Sequence, residues 1–131
     1  MSAAVVAAIA DRLRSTGVRF HDARPSTPDY PYVVASFDSG PRRSTRAADV
    51  RVESVLSWQT TVVGESAAQC RAAVDRIVDA LTDWTPVVDG RVCHKVRHET
   101  SRPMARDDDL PNITVLYVID QWSVKSEPLS A

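Results

Sequence analysis

Apolar residues recur at helical spacing in two segments of the chain. Val5, Val6, Ile9 and Leu13 lie three or four positions apart, which predicts a helix that begins after Ser2 and ends before Gly17. A longer stripe follows "SAAQ" at positions 66–69, a pattern typical of a capping box. The residues of that stripe are Cys70, Ala73, Val74, Ile77, Val78 and Leu81. The sequence therefore predicts two amphipathic helices, each with one buried face.

Four other segments have the pattern of β-strands. "YVVASF" at 32–37 is rich in β-branched residues, and the stretch from Val50 to Val63 alternates so that Leu56, Trp58 and Val62 share a face. An Asp-Gly turn at 89–90 leads into a third predicted strand, Arg91 to His98. "NITVLYVIDQW" at 112–122 predicts a last strand with apolar residues on both faces. Residues 18–30 and 99–111 have no period and are predicted to be connections.

The element order is helix, strand, strand, helix, strand, strand, which predicts an α+β fold. We expect a largely antiparallel four-stranded sheet with both helices packed on one face, in a single domain over residues 1–126 with a flexible tail at 127–131. Because the last strand is apolar on both sides, the second face of the sheet is expected to meet a neighbouring subunit. The strand from Val50 is longer than the core needs, so its beginning is expected to project with the loop before it.

The overall composition is that of one ordinary globular domain. The chain has 131 residues and a formal net charge of -1, which argues against a nucleic-acid binder driven by overall charge and leaves a local patch as the alternative. The apolar N-terminus is interrupted at Asp11 and Arg12, well short of the ~20 residues of a membrane span. We therefore expect a soluble, unexported protein, in which Cys70 and Cys93 are reduced, buried thiols.

The sequence lacks the usual patterns of catalytic and ligand sites. Its four glycines form no phosphate-binding loop, and His94 and His98 lie too far apart on a strand to share one metal ion. Cys93 and His94 point to opposite faces of that strand, and the three consecutive aspartates at 107–109 lack the Gly and Glu of a calcium loop. We therefore predict no catalytic residue, no metal, no cofactor and no small-molecule substrate.

Charge is concentrated in two regions. Several arginines lie in the loop between the first two predicted strands, and the basic run from Arg91 to Arg106 is followed directly by three aspartates. Adjacent positive and negative patches suit head-to-tail self-association, although an ordinary mixed surface has the same composition. The residues predicted to form an assembly interface are Arg42, Arg43, Arg46, Arg51, Arg102, Arg106, Asp107, Asp108 and Asp109.

Several of these features together resemble a known family. The αββαββ order, "YPYVV" before the first strand, the long loop before the second strand, "VVGESAAQCRAAVDRIVDAL" and the closing "LPNITVLYVIDQW" are similar to the tail terminator (tail completion) proteins of long-tailed phages and prophages. The resemblance runs from Ser2 to Ser126 and rests on element order rather than on an invariant motif.

The resemblance implies a structural role in virion assembly. Such a protein forms a hexameric homo-oligomer on the head-proximal end of the tail tube, stops tube polymerisation and joins the tail to the head-tail connector. It would lie in the tail or neck of the virion after assembly in the host bacterial cytoplasm, and would meet nucleic acid only as DNA passing through the ring. Two other interpretations stay open: a head-closure (stopper) protein of the neck, and a small nucleic-acid-binding module that uses the basic segments. A small enzyme built around Cys93 or His98 is the weakest alternative.

Overall fold

The computed structural model describes residues 3–23, 25–26, 29–37, 54–108 and 114–129. Within these ranges the chain forms two helices and seven strands. In chain order they are α1 (Ala3–Arg14), β1 (Arg19–His21), β2 (Tyr32–Phe37), β3 (Ser54–Gly64), α2 (Ala67–Leu81), β4 (Arg91–Cys93), β5 (Arg97–Ser101), β6 (Ala105–Arg106) and β7 (Leu116–Pro128). The α+β class is confirmed, but the sheet is larger than the four predicted strands and it is mixed.

The sheet is built around its two longest strands, β3 and β7, which pair antiparallel over eleven residues from Ser54 to Gly64. β2 pairs antiparallel with β3, and β1 adds a parallel edge beside β2. On the other side of β7, the three short strands β4, β5 and β6 follow one another along the same edge, all antiparallel to β7. Five of the six strand pairs in the described residues are antiparallel, and the parallel β1–β2 pair makes the sheet mixed. β1 lies within residues 18–30, so the prediction that this segment is only a connection is wrong, because a three-residue strand shows no periodicity.

Both predicted helices are confirmed, and local sequence explains them. Helix α2 begins at a capped end: the Ser66 side chain accepts the Gln69 backbone N–H at 3.1 Å, while Gln69 Oε1 accepts the Glu65 N–H at 2.7 Å. These bonds satisfy donors that a helix start otherwise leaves unpaired. Helix α1 buries Val5, Ile9 and Leu13, as its spacing predicts.

The helices pack on one face of the sheet, called here the first face. Antiparallel partners lie side by side, so the register places Val33, Val62 and Val118 in one row of this face and Leu56 and Val124 in another. One core cluster contains side chains of both helices and of this face: Val5, Ile9, Leu13, Ala73, Ile77, Leu81, Val33, Ala35, Leu56, Trp58, Val62, Trp122 and Val124. The alternation predicted for β3 is thus confirmed.

The prediction of one continuous third strand from Arg91 to His98 is wrong. It is divided into β4 and β5 by residues 94–96, where Val96 is fully buried in the core. The Val96 backbone bonds to the chain that follows α2: its N–H donates to Trp84 O at 2.8 Å, and its carbonyl accepts from Asp83 N at 3.2 Å. Burial of this valine therefore takes the backbone out of the ladder with β7.

Two further segments that were predicted to be irregular contain strand structure. The connection predicted at 99–111 includes the end of β5 and all of β6, because both pair with β7. The tail predicted at 127–131 is wrong for its first two residues: Glu127 and Pro128 belong to β7 and pair with β4, and Leu129 N donates to Gly90 O at 3.0 Å. β4, which follows the Asp-Gly turn, thus holds the C-terminal end of β7 in the sheet. In that turn Gly90 adopts a φ of +80°, a conformation that glycine tolerates.

Candidate assembly interface

Four rings form a ladder across the first face at one end of the core. Phe37 stacks near Trp58 (6.2 Å between ring centroids), Trp58 near Trp122 (6.5 Å) and Trp122 near His98 (4.4 Å). Each pair consists of direct cross-strand partners, so the ladder joins β2, β3, β7 and β5. Stacked cross-strand rings stabilise such pairs, and here they attach the outer strand β5 to the centre of the sheet.

A buried polar group lies beside this ladder. Asp120 is 1% exposed, and its Oδ1 is 2.8 Å from His98 Nε2, while its Oδ2 has no hydrogen-bond partner among the described residues. Next to it, Trp122 Nε1 donates to the buried Thr60 Oγ1 at 3.0 Å. Sequence reasoning missed this group. The available signal was an aspartate at a position of β7 whose neighbours two residues away, Val118 and Trp122, face the core.

The outer edge of the sheet carries four of the residues predicted for assembly. Backbone bonds from Arg102 N to Ile119 O (2.9 Å) and from Asp107 N to Val115 O (2.8 Å) hold this segment along β7. Arg102, Arg106 and Asp108 are exposed, and Asp107 is half-buried. The structure therefore brings these two arginines and two aspartates together on one edge, with positive and negative charges adjoining.

This edge is poorly suited to adding another strand. β5 is exposed at all five positions, but its register shifts between His98 and Thr100, so that Glu99 is an extra residue in the strand. Charged side chains at Arg97 and Glu99, the bulge and Pro103 just beyond are devices by which proteins prevent edge-to-edge pairing. A partner on this edge is therefore expected to bind through side chains.

The other predicted assembly residues, Arg42, Arg43, Arg46, Arg51 and Asp109, lie outside the described residues. The same holds for the predicted projection of the strand before Ser54. Their roles stay predictions from the sequence.

The second face of the sheet changes character from one end to the other. At one end, Tyr32, Val63 and Val115 are buried in a second apolar cluster, with Tyr30, Val34 and Tyr117 packed against it. Further along the strands the register rows become polar, with Ser36, Gln59 and Gln121 in one row and Ser57 and Ser123 in the next. In the described residues, the predicted apolar second face is therefore present at one end of the sheet, because the apolar residues of β7 on this face end at Ile119 and are followed by Gln121 and Ser123.

A groove of about 460 Å³ lies over the polar rows. It is lined by Ser36, Phe37, Ser57, Trp58, Gln59, Glu99, Gln121 and Trp122. The side chains of Trp58 and Trp122 lie on the first face, so the accessible chemistry among the described lining residues is that of two hydroxyls, two carboxamides and the Glu99 carboxylate. Sequence reasoning could not find this groove, because its polar residues come from four separate strands.

Both cysteines are free thiols; Cys70 is buried, as predicted, whereas Cys93 is half-buried, so the prediction of burial is wrong for Cys93. Burial raises the pKa of the Cys70 thiol, against a smaller lowering by its hydrogen bond with the Gly64 backbone. Burial also raises the pKa of the Cys93 thiol, partly opposed by the positive charge of Arg91. Both thiols are thus less nucleophilic near neutral pH than an ordinary cysteine.

In the described part of the chain, no three His, Cys, Asp or Glu side chains are grouped as metal ligands, and no helix is long and apolar enough to cross a membrane.

Most of the chain matches the model of a known protein family. A family model described as "Tail completion protein gp17" matches residues 1–119 of the chain. The chain belongs to this tail completion protein family. It is therefore a structural protein of the virion tail, and the resemblance drawn from its element order is confirmed.

A solved structure described as "Virion of native gene transfer agent (GTA) particle" contains a chain of similar fold. The TM-score is 0.68 at 18% sequence identity, and the match covers 97% of this tail completion protein and 99% of that chain. At this identity the match shows a common fold over the whole length. No curated protein sequence matches the chain.

Proposed function

We propose that this tail completion protein forms a ring on the head-proximal end of a phage tail tube, stops polymerisation of the tube and provides the surface that joins the tail to the head. The match of the family model to residues 1–119 carries the proposal. The similar fold in a virion particle supports it, since that chain is almost the same length and covers the same elements.

The sheet edge supports a heterologous contact between copies. Rings of identical subunits need two different surfaces that fit each other, and charge complementarity sets the register of such contacts more than their affinity. Arg102, Arg106, Asp107 and Asp108 present both signs of charge on one exposed edge. In the proposal they form one side of the interface, together with Arg42, Arg43, Arg46, Arg51 and Asp109 from the sequence.

The proposed partners follow from the position of the ring. They are five further copies of the chain, the tail tube protein on one side and the head-tail connector or neck protein on the other, after assembly in the host bacterial cytoplasm. DNA passes through the lumen without specific recognition, since the charged edge mixes arginines with aspartates and forms no continuous basic stripe in the described residues.

The decisive experiment images particles assembled without this protein by negative-stain electron microscopy. The terminator role predicts tubes of abnormal and variable length that fail to join heads. Tubes of uniform normal length that merely fail to join heads would contradict termination and favour the head-closure role. Normal joined particles would contradict both.

Complementation with point variants then tests the proposed edge. Arg102→Glu and Arg106→Glu, which reverse the charge at exposed positions, are expected to lower the yield of joined particles by about tenfold. Arg71→Glu is the matched control, since Arg71 is equally exposed but lies on α2, away from this edge. Equal yields from all three variants would show that the edge takes no part.

A further inference from the structure

The groove on the second face has a distinctive chemistry. Among the described residues its lining contains no arginine or lysine, and its polar side chains are Ser36, Ser57, Gln59, Gln121 and Glu99. Carboxylate, carboxamide and hydroxyl oxygens accept hydrogen bonds, and Glu99 is the one ionisable residue in the described part of the lining. The groove is therefore complementary to a cation that donates several hydrogen bonds.

Glu99 is held in place at the wall of the groove. It is the extra residue of the β5 bulge and follows His98, whose ring stacks on Trp122 on the first face, so the Glu99 side chain lies on the second face. Its Oε1 accepts the Ser123 hydroxyl, and Thr100 Oγ1 donates to Gln121 Oε1 at 3.1 Å in the neighbouring row. These bonds orient the carboxylate and one carboxamide before any partner arrives.

The local ion pair of Glu99 is weak. Arg97 Nε lies 4.0 Å from Glu99 Oε1, and the two side chains are 69% and 44% exposed. Exposed pairs of this length contribute little because water screens them and side-chain entropy opposes them. The Glu99 carboxylate is therefore open to a second cation.

We propose that this groove is a docking site for an arginine side chain of a second copy of the chain, with the guanidinium paired to Glu99 and bonded to the Gln59 and Gln121 carboxamides. The inference rests on the proposed ring, to which it adds a specific contact. Arginine fits better than lysine because its planar fork of five donors can bond a carboxylate and two amides at once. A second copy is the occupant because the chain presents Arg102 and Arg106 at exposed positions, and their positive charge complements the Glu99 carboxylate of the groove.

The test measures assembly by sedimentation velocity with three variants. Glu99→Arg is expected to raise the apparent dissociation constant of the ring by about tenfold or more, and Glu99→Gln by less, because the amide keeps hydrogen bonding without charge. Glu65→Arg is the control, since Glu65 is an exposed glutamate outside the groove. A Glu99→Arg variant that assembles like the wild type overturns the inference while leaving the ring intact.

A charge swap identifies the donor. Single arginines are changed to glutamate in the Glu99→Arg background, first the exposed Arg102 and Arg106 and then the arginines that the sequence has at 42, 43 and 46. Recovery of assembly by one pair supports the contact, and the absence of any recovery counts against it.

If the wild-type protein stays monomeric, the groove is tested directly. N-acetyl-arginine amide, added to ¹⁵N-labelled protein, is expected to shift the side-chain amide resonances of Gln59 and Gln121, and N-acetyl-lysine amide to shift them less. No shift with either probe overturns the inference. The ring itself is judged separately, by tube length in particles that lack the protein.

Discussion

His98 and Asp120 join an exposed strand to a buried carboxylate: His98 Nε2 lies 2.8 Å from Asp120 Oδ1 across the β5–β7 pair. The imidazole also stacks on Trp122, so one side chain provides both a polar and an aromatic attachment for β5. Because β5 carries Glu99 and leads into the charged edge, this contact positions both candidate interaction surfaces relative to the core.

Removal of the imidazole is expected to destabilise the fold. His98→Ala leaves the buried Asp120 carboxylate without its described partner, which is expected to lower the free energy of unfolding by about 2 kcal/mol. Urea denaturation followed by tryptophan fluorescence measures the change. His94→Ala, at an exposed histidine of the same segment, is expected to stay within about 0.5 kcal/mol of wild type. Equal effects of the two substitutions would refute the role of the pair.

Thr60 provides the acceptor for the Trp122 indole. Thr60→Val keeps the shape of the side chain but leaves the buried N–H unpaired, which is expected to cost about 1–3 kcal/mol in thermal or chemical unfolding. The matched control is Thr61→Val on the second face, where the side chain is half-buried, and its effect is expected to be near zero. A stable Thr60→Val protein would mean that the indole finds another acceptor.

Asp83 adopts a left-handed backbone conformation just after helix α2, with φ of 60°. A β-branched residue is strained there, so Asp83→Val is expected to lower stability by about 1–2 kcal/mol, whereas Asp83→Gly is expected to be neutral or to stabilise. Differential scanning calorimetry compares the melting temperatures. Thr82→Val is the control, because Thr82 has an ordinary φ of -62°. A valine at 83 that melts with the wild type would contradict the strained conformation.

Cys93 is expected to react slowly with iodoacetamide near neutral pH. Burial raises the pKa of its thiol, so at a given pH a smaller fraction is the reactive thiolate than in the unfolded chain. The rate should therefore rise through a midpoint at higher pH in the folded protein than in denaturant, as followed by peptide mass spectrometry. Cys70, which is fully buried, should react only on unfolding. Coincident folded and unfolded profiles for Cys93 would contradict the shift.

Local periodicity predicted those elements whose hydrophobic pattern is contained in one short segment of the chain. The stripe from Cys70 to Leu81 predicts α2 because residues three and four apart meet on a helix wherever that helix is placed. The alternation of Leu56, Trp58 and Val62 likewise predicts which side of β3 is buried. Both patterns are properties of single segments, so no tertiary information was needed.

By itself, then, the sequence determined the two helices, the central strands β2 and β3, the α+β class and, through the order of its elements, the family. The tertiary structure alone decided where β1, β5 and β6 pair, how Val96 interrupts the predicted third strand, and that Glu99, Gln59 and Gln121 meet in one groove. The physical reason is that a short strand exists only through its partner. The hydrogen bonds that stabilise it join residues far apart in the chain, and no local pattern records them.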